Sequence, residues 1–476
     1  MTQAVESTAD QAVISTSKVP LITKLLYGSG QIGGQLFRDA PAALLPLFMT
    51  TMLGVSAWVA GIVVLIPKLW VIICDPAMGV WSDKLKPHHS RRPFLAAGGL
   101  LTGLSFMALF SFSEFSSPTM AAVFIGILFL IASTAFSAFS VPYLAMASEL
   151  SSDAHERTKV LSVRMIFVII GVIMGIGLAQ PLVYKLGGDA AAWRTMAILF
   201  GGICVVAMLA TAFGVPRNFG QISQDDPRKL LSRFASVKEN KPFMVLAATY
   251  LVQTIAQACG YAVVGFIFLY AVADISLLFP FVIVMCTGSI LSQPMWVKLS
   301  GKWGKEAAFW IACIGWMLIT ITWLWVKPGD DVLMTLPGWG EMSTEHFLVL
   351  CRAVLIGCTN SGFALLVFSL LTDVIDKQRQ NKGTVDEGLF SGFFSATEKL
   401  AFALGPVLAG AFLSYTGFQS STGGATEQAP EAIHGMVLLY SVVPAAIMAI
   451  SLLIFTRYKR AMQSICLLYT SDAADE

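Results

Sequence analysis

Twelve stretches of mostly apolar residues, each about 20 residues or longer, follow one another along the chain, and a bilayer core of about 30 Å needs that much α-helix for one crossing. The first six cover about residues 26–52, 57–81, 94–113, 119–147, 161–183 and 192–214. The second six cover about 243–270, 275–297, 306–326, 345–375, 388–415 and 434–456. In lipid, each backbone polar group must be satisfied inside its own segment, so the pattern reads as an all-α integral membrane protein with 12 transmembrane helices in two six-helix halves. Composition agrees: 56% of the 476 residues are hydrophobic and 13% charged, too apolar for ordinary water-soluble domains. Lys plus Arg number 31 against 29 Asp plus Glu, so no overall basic excess points to nucleic acid as a partner. Membrane lipid is the expected surrounding.

Residues 215–242 form the longest polar interior stretch and read as a cytoplasmic linker between a half at 26–214 and a half at 243–456. Basic residues test this division, because Lys and Arg gather in cytoplasmic loops. Lys84, Lys86, Arg91 and Arg92 follow the second segment, Arg157 and Lys159 the fourth, and Lys298, Lys302 and Lys305 the eighth. Lys377, Arg379 and Lys382 follow the tenth, and Arg457, Lys459 and Arg460 the twelfth. The alternate loops hold only Lys185, Arg194 and Lys327. The alternation predicts a multi-pass protein of the cell inner (plasma) membrane with both termini cytoplasmic: a segment at 1–25 and a tail at 457–465. Residues 1–20 lack the layout of a cleaved signal peptide. Residues 466–476 (CLLYTSDAADE) resemble a translated sequencing-library adapter and are set aside as an artefact.

An internal echo joins the halves. Asp75-Pro-Ala-Met-Gly-Val-Trp-Ser-Asp-Lys near the end of segment 2 is matched by Gln293-Pro-Met-Trp-Val-Lys-Leu-Ser-Gly-Lys near the end of segment 8. Parallel repeats of this kind relate the halves of major-facilitator transporters. Charged residues within the apolar segments are the functional candidates, since a charge at mid-membrane costs about 2.5–3.5 kcal/mol on insertion scales and normally faces a cavity or a partner. They are Arg38 and Asp39, Lys68 and Asp75, Arg164, Arg352 and Asp373, and Glu398 and Lys399. Lys68 and Asp75, two turns apart, share a stripe, and Gln35 and Asp39, one turn apart, form an amide and carboxylate pair suited to sugar hydroxyls. The alternative reading is that these charges only neutralise one another between packed helices. Arg164 and Arg352 lie near segment ends, from which they can snorkel to water.

Other features are structural. Trp70, Trp310, Trp316, Trp323 and Trp325 read as interfacial belts more readily than as sugar-stacking rings. Gly171 with Gly175, and Gly98, Gly99 and Gly103, read as close helix contacts. Seven cysteines (Cys74, Cys204, Cys259, Cys286, Cys313, Cys351 and Cys358) sit in apolar stretches without metal-like spacing, and the five histidines are in or beside loops. No metal site or cofactor is expected, and the absence of GxxxxGK[ST], HExxH and GxSxG removes support for ATP-driven pumping and for hydrolase chemistry. The chain reads as a transporter and not an enzyme.

Family resemblance rests on Tyr27-Gly-Ser-Gly, Lys68-Leu-Trp, Asp75-Pro-Ala-Met-Gly, Ser82-Asp83, Arg91-Arg92-Pro-Phe-Leu and Val141-Pro-Tyr143. It continues through Glu156-Arg157, Arg164, Lys241-Pro-Phe, Thr372-Asp373-Val-Ile-Asp376, Glu387-Gly-Leu-Phe-Ser-Gly and Lys399. In this order, over about residues 22–457, the chain resembles the glycoside-pentoside-hexuronide:cation symporter family, the melibiose permease-like branch of the major facilitator superfamily. The resemblance implies a major-facilitator fold, a sugar or glycoside as small-molecule partner, a monomer, and uptake coupled to H+ or Na+. It also marks departures. Val71 stands where sodium-using relatives have the first of two segment 2 carboxylates, with Asp75 matching the second. Ser140, Leu144 and Gln35 replace a carboxylate, a stacking aromatic and a sugar-binding Asp.

A sodium ion wants several oxygen ligands, whereas a proton needs one carboxylate tuned by burial and a nearby Lys. The reading therefore favours a proton, with Asp75, Lys68 and Lys399 as the coupling group. Gln35, Asp39, Arg164 and Lys399 bind solute, and Asp83, Arg91 and Arg92 latch the cytoplasmic side. A carrier of another amphipathic solute, such as a lipid or drug, is the competing function, since part of the sugar site is missing. A non-transporting sugar sensor is a third, for which a fused signalling domain is expected and absent.

Overall fold

The computed structural model describes residues 18–150, 154–216, 240–329, 331–336, 340–382 and 387–472. The expectation about the central linker falls largely outside them, and of 466–476 only the helical backbone up to Asp472 lies within them.

In the first half, α1 is Leu21–Thr51, α2 Ala57–His89, α3 Arg92–Leu109, α4 Pro118–Glu149 and α6 Ala190–Gly214. Between the last two, α5 runs through Ala154–Val172, a π-helical turn Ile173–Leu178 and Ala179–Lys185. In the second half, α7 is Lys241–Phe266 continued by a π turn Ile267–Ala271, α8 is Leu278–Trp303 and α9 is Lys305–Ile321. Then come α10, Thr344–Lys382, and α11, Glu387–Tyr415. Finally α12 is Pro430–Tyr440 and Val442–Asp472, interrupted at Ser441. Starts are set by capping chemistry. Ser117 accepts from Met120 N with Pro118 at the first helical position, Asp189 accepts from Ala192 N at 2.8 Å, and Asn240 accepts from Phe243 N at 3.0 Å. At the α8–α9 junction Gly304 adopts φ 87°, a conformation that favours glycine and lets the chain reverse at once.

Among the described residues, eleven helices are long and apolar enough to cross a membrane by length and composition. The remaining one, α1, is 31 residues long but carries Gln31, Gln35, Arg38 and Asp39 on its inner half, the polarity later seen to build the site. Two features differ from the segment reading. The loop after α9 contains a short hairpin, Met334–Leu336 (β1) against Gly340–Met342 (β2), and the twelfth segment breaks at Ser441, whose hydroxyl donates to Val437 O.

Packing repeats with an offset of six helices. In the first half α3 packs on α6 and α4, α1 on α6 and α5, and α2 on α4; in the second, α9 packs on α12 and α10, α7 on α12 and α11, and α8 on α10. The halves meet where α2 packs on α11 and, at the equivalent position, α5 on α8, with α1 against α7 between them. Close approach is bought with glycine. A Cβ at Gly98 would lie 2.6 Å from Phe139 N, and one at Gly288 would lie 2.6 Å from Val354 O. As expected, Gly171 and Gly175 let α5 lie on α1, next to Gln35 and Leu36 respectively.

The tryptophans correct the belt expectation. Trp323 is fully buried and Trp316 nearly so; Trp323 packs edge-on against Phe281 and Tyr440. Trp325, 67% exposed, and Trp70, 41% exposed, sit as belt residues would, so the correction applies to Trp316 and Trp323. On the side away from the termini the α1–α2 loop pairs with the α11–α12 loop through backbone hydrogen bonds: Ser421 N to Thr50 O at 2.8 Å, Gly54 N to Ser421 O at 2.9 Å and Gly424 N to Thr51 O at 3.1 Å. Leu53 and Thr422 form an antiparallel bridge at its centre.

Candidate functional site

Two polar clusters gather most of the candidate residues. In the first, Asp75 of α2 is held by two partners from other helices. Ser137 Oγ of α4 donates to Oδ1 at 2.5 Å, and Lys399 of α11 pairs with Oδ2. The Asp75 side chain is 14% exposed and Lys399 43%, and the pair spans the halves.

The second cluster is a ladder on α1. Gln31, Gln35 and Asp39 recur every four residues and therefore stack on one helix face. Gln31 Nε2 donates to Gln35 Oε1 at 3.2 Å, and Gln35 Nε2 donates to Asp39 Oδ2. One end is anchored by Arg164 of α5, whose Nε donates to Gln31 Oε1 at 2.8 Å. At the other end Arg38 Nε donates to Asp39 Oδ1 at 2.9 Å. Arg164 also lies over the Tyr143 ring at 5.8 Å, and Tyr143 stacks on Tyr27 with centroids 4.7 Å apart. Each tyrosine hydroxyl donates to the other's carbonyl oxygen, so the guanidinium rests on a rigid aromatic platform.

Lys68 does not reach Asp75. Its Nζ donates to the Arg38 carbonyl oxygen at 3.4 Å and stands in the field of Asp39, so the shared stripe on α2 splits between the two clusters. Glu398, beside Lys399 in the sequence, turns toward Tyr250 and Arg38. Arg352 is also not a snorkelling residue: it pairs with Glu345 at 2.6 Å, both nearly buried, under the Trp323 ring. Among the latch candidates the Asp83 side chain lies outside the described residues. Arg91 Nη1 donates to Ser82 Oγ at 2.7 Å. Arg92 donates to the carbonyls of Ala212 and Phe213, both at 2.9 Å, and so caps the C-terminus of α6 within its own half. Gln31 and Ser137 are site residues that charge counting missed. The four-residue spacing of Gln31, Gln35 and Asp39 was the available signal for the first, and nothing local marks the second.

A family model described as MFS/sugar transport protein matches residues 26–460. The chain belongs to this family. As an MFS sugar-transport family member it is a multi-pass membrane transporter and not an enzyme. It is 20% identical to the isoprimeverose transporter of Lactiplantibacillus pentosus, over 96% of this chain and 92% of that protein. It is 21% identical to the Escherichia coli (strain K12) protein named "Putative glycoside/cation symporter YagG", over 92% and 91%. Among solved structures the nucleoside transporter NupG superposes with a TM-score of 0.64 at 12% identity, covering 92% of this chain and 99% of that one, a likeness of fold. In this MFS family member the first cluster joins helices of both halves, and the second lies on helices of the first half.

Proposed function

We propose that the protein is a proton-coupled symporter that carries a sugar or glycoside across the inner membrane by alternating access, as a monomer with both termini in the cytoplasm. The observation that carries the reading is Asp75 held between Ser137 and Lys399 beside the Gln31–Gln35–Asp39 ladder. An ammonium occupies one Asp75 oxygen, where a sodium ion would need further oxygen donors. Protonating Asp75 frees Lys399 and weakens the link between the halves, so loading and opening are one event. The ladder offers amide donors, carboxylate acceptors and the Arg164 fork, a set matched to vicinal hydroxyls. The names of the relatives, a glycoside/cation symporter and an isoprimeverose transporter, support the substrate class. Backbone pairing of the outer loops supports a state closed on that side, and rocking of the halves about the midplane would open it.

The test is uptake of labelled glycosides into proteoliposomes under a proton gradient, a sodium gradient or neither, with Asp75→Asn alongside. Proton-driven uptake that Asp75→Asn abolishes is the expected result. Sodium-driven uptake would overturn the proton assignment, and no uptake of any glycoside would favour another amphipathic solute.

A further inference from the structure

A cavity of about 70 Å³ lies between α7, α8, α9, α10 and α12, with Ile176 of α5 in its wall on the side of the first half. Drug-sized ligands occupy roughly 300–1,000 Å³, so this space is sized for part of a solute. Its walls are apolar, with Val282, Met285, Ile356 and Trp316 among them, and no charged side chain lines it. Besides the tyrosine and tryptophan rings, Gln257, Thr320 and Asn360 bring polar groups to that surface. Gln257 Nε2 donates to Asn360 Oδ1 at 3.2 Å, which leaves the Gln257 oxygen and the Asn360 amide hydrogens available. The hydroxyl of Thr320, a residue only 4% exposed, has no hydrogen-bond partner among the described residues. Buried hydroxyls are nearly always satisfied, so this one in the cavity wall leaves a hydrogen bond open to an atom that enters the cavity.

Tyr261 is the wall that connects this cavity to the site. Its ring lines the cavity, and its phenol stands in the field of Asp39, Arg38 and Glu398. A solute with its polar ring on the α1 ladder would therefore direct a substituent past Tyr261 into an apolar space. Met285, unbranched and adaptable, lets that space widen.

We propose that this cavity is an aglycone site, and that the transported solute is a glycoside whose compact apolar or aromatic aglycone carries a hydrogen-bonding atom placed for Thr320 and the Gln257–Asn360 pair. The proposal rests on the sugar-symport reading and narrows its substrate class. It also reconciles a sugar-binding ladder with an apolar cavity, which taken singly point to different solutes.

The test compares uptake of methyl and phenyl β-glucosides and galactosides, with the 4-hydroxyphenyl analogues, by wild-type protein and two variants. Gly260→Leu fills the cavity: Gly260 lines it, and a Cβ there meets nothing nearer than Tyr440 at 3.8 Å. Thr320→Val removes the unpartnered hydroxyl at nearly constant volume. Wild type is expected to take the phenyl glycosides with a KM about tenfold below that of the methyl ones, as burial of a small apolar group allows. Gly260→Leu should raise the phenyl KM about tenfold and leave the methyl KM unchanged. Thr320→Val should remove only the preference for 4-hydroxyphenyl over phenyl. Wild-type uptake without a phenyl preference, or variants that shift methyl and phenyl KM alike, would overturn the aglycone site and leave the symport reading standing. Absence of uptake of every glycoside by wild type would sink both.

Discussion

The halves meet along two seams, α2 on α11 and α5 on α8, which the six-helix repeat makes equivalent in position and which differ in what fills them. The α2–α11 seam carries the Asp75–Lys399 pair at its middle and the hydrogen-bonded loops at its outer end. In the α5–α8 seam a Cβ added at Gly177, within the π turn of α5, would meet Val282 at 3.1 Å, and no ion pair crosses it among the described residues. A shared scaffold thus carries one seam crossed by an ion pair and one in which, among the described residues, no ion pair crosses. On the proposed proton-coupled reading that asymmetry is what coupling would use, because a proton can only shift an equilibrium between states that hold it differently.

The sharpest way to break the comparison is to lock the charged seam. Partners in an antiparallel bridge have Cα atoms about 4.5–5.5 Å apart, within disulfide range, so Leu53→Cys with Thr422→Cys should cross-link on oxidation. Uptake is then expected to fall to background and to return with reductant, while neither single cysteine responds. Full uptake by the cross-linked protein would show that the outer loops need not part.

Next in size is Lys399→Ala, which leaves Asp75 in a half-buried place with only Ser137. Breaking a buried pair by removing one partner costs about 3–5 kcal/mol, less where one side is as exposed as Lys399, and gradient-driven accumulation should fall on the order of 100-fold. Gly177→Ala in the other seam should change it by less than about threefold. Equal losses would mean that the seams are equivalent in function as well as in position.

Glycine contacts sharpen the contrast further. A Cβ at Gly61 would lie 2.7 Å from Pro406 O and 2.9 Å from Val407 Cα, backbone atoms that cannot turn aside, whereas one at Gly177 meets a valine side chain. Gly61→Ala should therefore cost about 1–3 kcal/mol of stability in detergent, and Gly177→Ala less than about 1 kcal/mol, both read by thermal unfolding.

How much of this was legible in the sequence follows from the range of the signal. Helix number depends on local apolarity and could be counted; the hairpin after α9 and the break at Ser441 carry no such mark. Asp75, Asp39, Arg164 and Lys399 stood out because charge is costly in lipid. Among their partners, Lys399 was already grouped with Asp75 as a coupling residue, whereas Lys68, seven residues from Asp75, looked paired with it and instead reaches Arg38 O. Neutral Ser137 and Gln31 raised no cost and so gave no alarm. Burial of Trp316 and Trp323 depends on which way each helix faces, a property of the packed bundle.

The smallest effect concerns a carboxylate that resembles Asp75 in its partners and not in its place. Glu156, at the start of α5, accepts from Lys159 Nζ at 2.8 Å and from Lys24 Nζ of α1 at 2.9 Å, all within one half. These hydrogen bonds, Lys159 first, hold its carboxyl down at about 2, against an ordinary value of 4.5. Because the folded value is the lower one, the stabilisation is complete above about pH 4.5 and is lost as pH falls toward 2. Between pH 5 and 8 Glu156 therefore stays ionised and moves no proton. Glu156→Gln should leave the pH profile of uptake unchanged across that range, while Asp75→Asn removes proton dependence. A shifted profile in Glu156→Gln would mean that a carboxylate paired within one half also reports to the Asp75–Lys399 pair, and the distinction between bonds within a half and bonds across the α2–α11 seam would have to be redrawn.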